Sequence, residues 1–442
     1  MKKKLLALLL LAAGCMVDAS AQKRPNVIFV LTDDMGYSDL SCYGNPLIRT
    51  PFLDKIATKG VKATGYMVSS PTCTPSRVSL MTGRYPTRSG LNFPIPPGYK
   101  IGLPDEDVTI AEMLKGVGYN TCMIGKWHMG DIHPYNLPNA QGFDHYFGML
   151  YSHDYRPPYV ATDTTIKIFR DRTPEIYRPQ DTSLTGLYTQ EAIKYIRTQK
   201  KDKPFFLYLA HNMPHLPVDA SGKFKGNSKG GLYGDVIEEI DANLALLWDA
   251  LEKQGLADNT IFIFSSDNGP WIDFPDRMSK DGHTKPWHVG SQGIFRGHKG
   301  DTYEGGHRVP FIIYWKNHTP VGKEIPDAFT SMDVLPTLAK WTGAPLPKGR
   351  KIDGEAVDSL LTGKIAHYNH SPIYYVNYGV AEAIRVGDWK FRRGGAQGTP
   401  KVSELFNLKE DVREKNNLAE QYPEKVKELE ALLDKYDGNT PN

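Results

Sequence analysis

The chain has 442 residues, of which 40% are hydrophobic and 23% are charged. This composition is globular and excludes collagen-like, coiled-coil and disordered proteins, which show a sequence period or a shortage of apolar residues. A formal net charge of +3 does not favour nucleic-acid binding, and four cysteines are too few for a disulfide scaffold. The sequence neither supports nor excludes a single disulfide between Cys42 and Cys122.

The N-terminal segment is typical of an export signal. Lys2–Lys4 precede an apolar run, Leu5–Ala13, that is too short to span a bilayer, which needs roughly 20 residues. Two processing sites fit: a small-x-small sequence before Gln22, and a lipobox-like sequence ending at Cys15. We expect a signal peptide over residues 1–21, no transmembrane segment in the mature chain, and a periplasmic protein, or an outer-membrane lipoprotein if Cys15 carries a lipid.

Strand and helix patterns then alternate along the chain. Continuous apolar runs predict strands that are buried on both faces, and amphipathic stretches with Pro at the start or Gly at the end predict helices. In chain order these are strand Asn26–Leu31, helix Thr50–Gly60, helix Thr109–Leu114, strand Tyr119–Ile124, helix Leu184–Thr198, strand Pro204–Ala210, helix Val236–Leu251 and strand Ile261–Phe264. This alternation predicts an α/β fold with a mixed, mostly parallel sheet between helices.

The pattern changes beyond Gly343, where Pro and Gly become more frequent. Short strands and one polar helix follow, at Ile373–Val376, Ala383–Val386, Trp389–Arg392, Glu404–Asn407 and Pro423–Lys435. We therefore expect a catalytic α/β domain over residues 22–343 and a smaller antiparallel α+β subdomain over residues 344–442.

Four predicted strands end in polar clusters. These are Asp33 with Asp34, Lys126 with His128, the loop His211–His215, and Asp267 with Asn268. Each cluster alone is compatible with a helix cap, a turn or a surface loop. Ligands of open α/β sheets bind beyond the carboxyl ends of the strands, so the fold would bring all four clusters together.

The residue types in these clusters indicate an anion pocket with a metal ion. Three carboxylates and an amide oxygen suit Ca²⁺ or Mg²⁺, and the sequence has no H-E-x-x-H or paired-cysteine pattern for zinc. Lys126, His128, His215 and Lys299 add positive or titratable groups. A cation beside such side chains predicts a site for phosphate or sulfate.

One segment carries a further signal, the run from Ser70 to Arg84 around Cys73. Pro75 fits the first turn of a helix whose N-terminus would face the anion, and Arg77 lies about one turn beyond Cys73. A free cysteine near a helix start is otherwise a small hydrophobic residue.

The sequence C-x-P-S-R at Cys73–Arg77, followed by L-x-T-G-R at Leu80–Arg84, resembles the sulfatase family. Further segments resemble the family in its order: Asn26–Asp34, Gly125–His128, Ser265–Gly269, Lys299–Gly306 and Glu404–Asp411 with Asn417-Leu418. The resemblance covers nearly the whole mature chain and is closest to the arylsulfatase A and N-acetylgalactosamine-6-sulfatase branch. It implies an alkaline-phosphatase-like fold and the hydrolysis of sulfate esters.

The resemblance also implies a cofactor and a modified residue. Cys73 would be converted to formylglycine by a maturation enzyme, and its hydrated aldehyde, a gem-diol, would attack sulfur. Ca²⁺, with Mg²⁺ as the alternative, would be bound by Asp33, Asp34, Asp267, Asn268 and the modified Cys73.

The roles of the remaining site residues follow from the same resemblance. Asp267 would help to take the proton of the nucleophile, and Arg77 and Lys126 would hold the gem-diol. His215 and Lys299 would bind sulfate, with His215 as the acid for the departing alcohol, and His128 would be the base that releases sulfate. Ser152 would lie at the sulfate. His211 is the weaker alternative to His215, and His298 and His307 are pocket candidates without a role.

The expected substrate is a terminal galactose or N-acetylgalactosamine of a sulfated glycan, from which position 4 or 6 is desulfated in exo fashion. Two alternatives remain at this point. One is a phosphonate or phosphodiester hydrolase of the same superfamily, and the other is a non-catalytic glycan-binding protein. The ten matched groups of the site argue against the second alternative.

Overall fold

The computed structural model describes residues 24–161 and 165–438. The expected signal peptide and Cys15 therefore lie outside the described residues. Within the described ranges, no helix is both long enough and apolar enough to cross a bilayer.

The strands come mainly from runs of apolar and β-branched residues, and three of them, Asn26–Thr32, Phe205–Ala210 and Thr260–Ser266, are buried along their whole length. In chain order they are β1 (Asn26–Thr32), β2 (Val61–Ala63), β3 (Tyr66–Met67), β4 (Asn120–Gly125), β5 (His145–Gly148), β6 (Lys167–Arg170), β7 (Thr173–Tyr177), β8 (Phe205–Ala210), β9 (Thr260–Ser266), β10 (Phe311–Tyr314), β11 (Lys323–Ile325), β12 (Phe329–Thr330), β13 (Ile373–Asn377), β14 (Val380–Val386), β15 (Trp389–Gly394) and β16 (Lys401–Asn407).

A ten-stranded sheet forms the centre of the fold, in the order β11-β2-β10-β9-β1-β8-β4-β5-β6-β7. The strands from β9 to β5 are parallel, and β10, β6 and β7 add antiparallel pairings on either side. β1 lies in the middle: Val27 is opposite Phe206 of β8 on one side and Ile261 of β9 on the other. This is the mixed, mostly parallel sheet that the sequence predicts.

Helices occur between and after these strands along the chain, and most have a local signal at one end or both. They are α1 (Pro51–Lys59), α2 (Cys73–Thr82), α3 (Ile110–Lys115), α4 (Leu184–Thr198), α5 (Gly231–Lys253), α6 (Glu304–His307), α7 (Val334–Thr342), α8 (Asp358–Leu361) and α9 (Pro423–Leu433). Pro51 is the first residue of α1. Proline fits this position because the backbone N–H that it lacks would have no partner within the helix. Thr109 and Glu112 form a reciprocal capping box at α3.

A four-stranded antiparallel sheet, β13-β14-β15-β16, lies near the C-terminus, and α9 packs on it. Leu429 and Leu433 of α9 share its core with Phe391 and Leu405. The small antiparallel C-terminal sheet is therefore confirmed.

Buried charges join the small sheet to α6, the short helix that precedes β10 in the chain. Lys390 of β15 contacts Glu304 of α6 at 3.0 Å and Glu414 at 2.8 Å, and the side chains of all three residues are buried. The Glu414 carboxylate also accepts the backbone N–H of Glu304 at 2.7 Å. Glu304 follows Lys299 by five residues, so these contacts attach the segment that carries Lys299 to the C-terminal sheet.

Candidate active site

The site lies where the parallel strands of the large sheet end. Thr32, the last residue of β1, is opposite Ser266, the last residue of β9, so Asp33 and Asp267 follow side by side. The backbone N–H of Asp34 donates to Asp267 Oδ1 at 3.1 Å. β4 ends at Gly125, opposite Ala210, and Lys126 follows it into the same region.

Three carboxylates form the base of the site. One oxygen from each of Asp33, Asp34 and Asp267 lies within 4.8 Å of the others, and all three residues are buried. Asn268 Nδ2 donates to Asp34 Oδ1 at 2.6 Å, and the buried Asn268 Oδ1 has no hydrogen-bond partner within the described ranges. An unpartnered amide oxygen beside three carboxylates fits a hard divalent cation, Ca²⁺ or Mg²⁺.

Each carboxylate also has a cationic neighbour. Lys126 Nζ lies 2.5 Å from Asp33 Oδ2, and Lys299 Nζ lies 2.8 Å from the Asp34 carboxylate. Arg77 contacts Asp267 Oδ2 through Nε at 2.9 Å and through a terminal nitrogen at 2.8 Å. The site therefore holds cationic groups on several sides of the carboxylates, which is the arrangement that an anionic substrate needs.

These charges set the pKa values of the carboxyl groups. Burial raises the pKa of Asp33, but Lys126, His215 and Arg77 outweigh it and hold that pKa well below its ordinary value. Burial raises the pKa of Asp34 although Lys299 opposes it, and burial together with Asp33 raises the pKa of Asp267 to about 7. Carboxylates crowded to this degree favour a bound cation.

Cys73 begins α2 and lies against the carboxylates. Its Sγ is 3.6 Å from Asp33 Oδ1, and the residue is 2% exposed. Burial raises the pKa of its thiol to about 12, so the unmodified side chain is a poor nucleophile. Cys42 and Cys122 are both free thiols, so no disulfide joins them.

His215 and Ser152 lie beside the carboxylates. His215 Nε2 is 3.7 Å from Asp34 Oδ2, its Nδ1 donates to the carbonyl of Leu216 at 2.6 Å, and Ser152 Oγ is 3.4 Å from Nδ1. His211 instead lies near the Tyr188 ring, 6.3 Å between centroids, and contacts none of the site residues through its ring nitrogens. Of the two histidines in this loop, the structure brings His215 to the site.

His128 is held in one tautomer. Its Nε2 lies 3.0 Å from the carbonyl oxygen of Ile95, which can only accept, so Nε2 carries the proton. Nδ1 is buried and has no partner within the described residues. Burial, with Lys126 and Arg77 nearby, holds the pKa of His128 well below its ordinary value, so the ring is neutral and Nδ1 is a free base.

The two histidines without an expected role have structural contacts. His307 is buried and donates to the carbonyl of Val68 at 2.7 Å. His298 Nε2 lies 3.7 Å from Asp301 Oδ2, in the turn that follows Lys299.

Sequence reasoning missed Trp271. Its ring centroid is 5.2 Å from that of His215 and 4.6 Å from Lys299 Nζ, so it contacts both residues. Its position directly after S-S-D-N-G-P was the available signal, because the chain leaves the strand end there and must pass along the site.

The chain is similar to known proteins over most of its length. A family model for sulfatases matches residues 25–344. The chain is 37% identical over 417 residues to human arylsulfatase A, covering 88% of this chain and 78% of that protein. It is 34% identical over 403 residues to N-acetylgalactosamine-6-sulfatase of Rattus norvegicus, covering 87% and 74%. A solved structure, described in connection with the metabolism of multiple glycosaminoglycans by Bacteroides thetaiotaomicron, superposes with a TM-score of 0.80 at 30% identity, covering 93% of this chain and 99% of that one.

Proposed function

Because the chain belongs to the sulfatase family and is a sulfuric ester hydrolase, we propose that it removes sulfate in exo fashion from position 4 or 6 of a terminal galactose or N-acetylgalactosamine of a sulfated glycan. The similarity to an N-acetylgalactosamine-6-sulfatase and to a structure connected with glycosaminoglycan metabolism supports this choice of substrate. The observation that carries sulfate-ester hydrolysis at this site is the placement of Cys73 Sγ 3.6 Å from Asp33, a carboxylate that Lys126 and Arg77 also contact.

Sulfatases generally use a formylglycine and a divalent metal ion, and the residues present fit both. Formylglycine made from Cys73 by a maturation enzyme supplies a geminal hydroxyl nucleophile, whose second hydroxyl permits the later release of sulfate. Ca²⁺, or Mg²⁺ in its place, would be held by Asp33, Asp34, Asp267, Asn268 and the modified residue 73, and it supplies Lewis-acid stabilisation of sulfate oxygens.

Three cationic side chains orient the reactants. Arg77 lies one helical turn after residue 73, and its contacts with Asp267 and with the carbonyl of Lys126 fix its direction. Lys126 and Lys299 contact Asp33 and Asp34 in the resting site and are the groups that neutralise the sulfate when it binds. The pKa of Lys299 lies above its ordinary value because Asp34 outweighs the effect of burial, so this side chain stays charged.

Asp267 and His128 handle protons near residue 73. Asp267, whose Oδ2 accepts hydrogen bonds from Arg77, would accept the proton of the nucleophile. His128 presents an unprotonated Nδ1, as a base for the step that releases sulfate requires.

His215 supplies the proton for the departing alcohol. Burial, and Lys299 beside it, hold the pKa of the resting imidazole well below its ordinary value. A bound sulfate ester brings negative charge next to Nε2, which favours the protonated form when the substrate is present. Nδ1 is committed to the carbonyl of Leu216, so Nε2 is the nitrogen that donates.

We further propose that the protein is exported, with residues 1–21 as its signal peptide. The basic and apolar segments of that region support this proposal. Export and cleavage before Gln22 predict a mature N-terminus at that residue, whereas lipidation predicts a modified Cys15, and mass analysis of the protein from a bacterial host separates the two.

A panel of 2-, 3-, 4- and 6-sulfated galactose and N-acetylgalactosamine tests the substrate. Sulfate release from the 4- or 6-sulfated sugars is expected, and release from none of the panel would contradict the exo-acting proposal. Nitrophenyl sulfate and nitrophenyl phosphate form a second comparison. A faster rate with the phosphate would favour the phosphoryl-transfer alternative.

A further inference from the structure

Trp271 contacts two side chains that the proposed function places at the substrate. Its ring centroid is 5.2 Å from that of His215, and Lys299 Nζ lies 4.6 Å from the same centroid. The residue follows Asp267 by four positions and is partly buried. A large rigid ring in this place restricts the directions in which its neighbours can point.

Lys299 is held by bonds that do not involve the indole ring. Its Nζ lies 2.8 Å from the Asp34 carboxylate, and its backbone N–H donates to the carbonyl of Pro270 at 3.0 Å. The next residue, Gly300, donates its backbone N–H to the carbonyl of Pro71 at 3.0 Å. The bond to Pro270 and the cation–π contact with Nζ therefore place the indole ring relative to a segment that is already fixed.

A second cation packs on the indole ring. Arg277 Cζ lies 5.7 Å from the ring centroid of Trp271. The guanidinium group is held in turn, because one of its terminal nitrogens donates to Asp154 Oδ2 at 3.4 Å and to the carbonyl of Tyr159 at 3.2 Å. Cations from two separate parts of the chain thus fix the position of Trp271.

His215 has fewer restraints of its own. Its Nδ1 donates to the carbonyl of Leu216 at 2.6 Å, but that carbonyl belongs to the next residue and does not attach the ring to another element. Ser152 Oγ lies 3.4 Å from the same nitrogen. Two rings lie beside the imidazole, that of His153 at 5.8 Å and that of Trp271 at 5.2 Å between centroids. The direction of Nε2 therefore depends on the rings that pack beside it.

We propose that Trp271 is a positioning residue for His215, which keeps Nε2 directed at the oxygen of the departing alcohol. The inference rests on the proposed function, in which His215 protonates that oxygen. As the nucleophile bonds to sulfur, the bond from sulfur to the alcohol oxygen breaks, its electron pair stays on that oxygen, and the oxygen takes the proton of Nε2. This transfer needs a donor–acceptor distance of about 2.6–3.2 Å, so a tilted imidazole performs it poorly.

The need for this proton differs between leaving groups. A nitrophenolate is a weak base and departs without a proton, whereas a phenolate or a sugar alkoxide is a stronger base and departs slowly unless it is protonated. A misdirected His215 therefore slows phenyl sulfate and leaves 4-nitrophenyl sulfate nearly unchanged. Both esters carry a benzene ring, so a direct contact between the substrate ring and Trp271 affects them alike.

The test compares variants of the matured enzyme on these two esters. Trp271→Leu is expected to lower kcat/KM about 10-fold or more for phenyl sulfate and less than about threefold for 4-nitrophenyl sulfate, because only the first needs the proton. Trp271→Phe keeps an aromatic ring beside His215 and should retain at least about a third of the activity on phenyl sulfate. Trp271→Met is measured as a second apolar variant in case Trp271→Leu does not fold. Trp287→Leu, at a tryptophan that is 70% exposed, is the matched control and should leave both rates unchanged.

A double-substitution cycle with His215→Gln shows whether Trp271 acts through His215. Once the acid is absent its direction has no effect, so adding Trp271→Leu to His215→Gln should lower kcat/KM less than about twofold, on phenyl sulfate and on the fastest sugar sulfate of the panel. Multiplicative losses in the double variant would overturn the positioning role, as would equal losses of Trp271→Leu on both aryl esters. If His215→Gln itself slows both aryl esters equally, the proposed role of His215 fails instead, and the two failures are therefore distinguishable.

Discussion

Lys126 Nζ lies 2.5 Å from Asp33 Oδ2, and both side chains are completely buried. Burial of such a pair carries a large desolvation cost, and removal of one partner strongly destabilises the protein because it leaves the other charge buried and unpaired. Its position at the ends of β4 and β1 places that cost in the active site, where the same ammonium group is available to a bound sulfate.

Replacement of Lys126 by Ala is therefore expected to lower both the rate of the reaction and the stability of the fold. We expect kcat with a nitrophenyl sulfate to fall at least ~100-fold, because one preorganised cation of the anion pocket is lost. Arg77 remains 3.6 Å from Asp33 and limits the loss of stability. Steady-state kinetics and thermal unfolding measure the two effects, and activity within a factor of ten of the original would argue against this role.

Metal removal is the second prediction. Three carboxylates within 4.8 Å of one another repel in the absence of a cation. Treatment with EDTA should lower activity by ~100-fold or more and lower the melting temperature, and added Ca²⁺ should restore both in a concentration-dependent way. Replacement of Asn268 by Leu should raise the Ca²⁺ concentration needed for half-recovery. Full activity after exhaustive chelation would contradict the assignment of a metal centre.

The stability of the fold should depend on pH through His370. Its Nε2 is 3.0 Å from Asp333 Oδ2, and although burial alone lowers its pKa, Asp333 raises that pKa to about 9. A histidine whose pKa is raised in the folded state stabilises the fold fully at pH values below its ordinary pKa of 6.5. This stabilisation is lost as the pH rises through about 9. The free energy of unfolding should fall by on the order of 3 kcal/mol over that interval.

Replacement of His370 by Gln should remove most of this pH dependence. Replacement of the 85% exposed His367 by Gln is the matched control and should leave the dependence unchanged. Urea denaturation at pH 6 and pH 9.5 measures the difference. If the unfolding free energy changes equally between pH 6 and pH 9.5 in the His370 variant and in the original protein, other groups cause the pH dependence.

The buried lysine of the small sheet gives the fourth prediction. Lys390 contacts Glu304 and Glu414, and its replacement by Met leaves two buried carboxylates without their shared cation. We expect a loss of about 3–5 kcal/mol in unfolding free energy, and partial recovery when Glu414 is also replaced by Gln. Replacement of Lys427, which is 71% exposed and paired with Glu424, should change stability by less than about 0.5 kcal/mol.

Much of the fold is predictable because its central strands are buried on both faces. β1, β8 and β9 are continuous apolar runs, and their predicted bounds differ from the observed ones by two residues or fewer at each end. β10 escaped prediction because a run of four residues, Phe311–Tyr314, gains its strand conformation from pairing with β9 and β2 rather than from its own length.

The site was predictable to the extent that strand ends converge in a parallel sheet. Asp33, Lys126 and Asp267 lie together for that reason. Trp271 was missed although it directly follows the polar cluster S-S-D-N-G-P, because its ring is placed by an irregular segment and not by a strand. The sequence pattern indicates that the chain passes along the site there, but it does not indicate that the ring contacts His215 and Lys299.

The most direct measurement concerns Cys73. The matured protein should yield a peptide containing residue 73 with the mass of an aldehyde in place of the thiol, and it should release sulfate from the sugar that it hydrolyses. The Cys73→Ala form, expressed in the same host, should bind that sugar sulfate by calorimetry but release sulfate at least ~10³-fold more slowly. Unchanged sulfate release by the Cys73→Ala form would contradict the account, because every other residue of the site is interpreted through its position relative to residue 73.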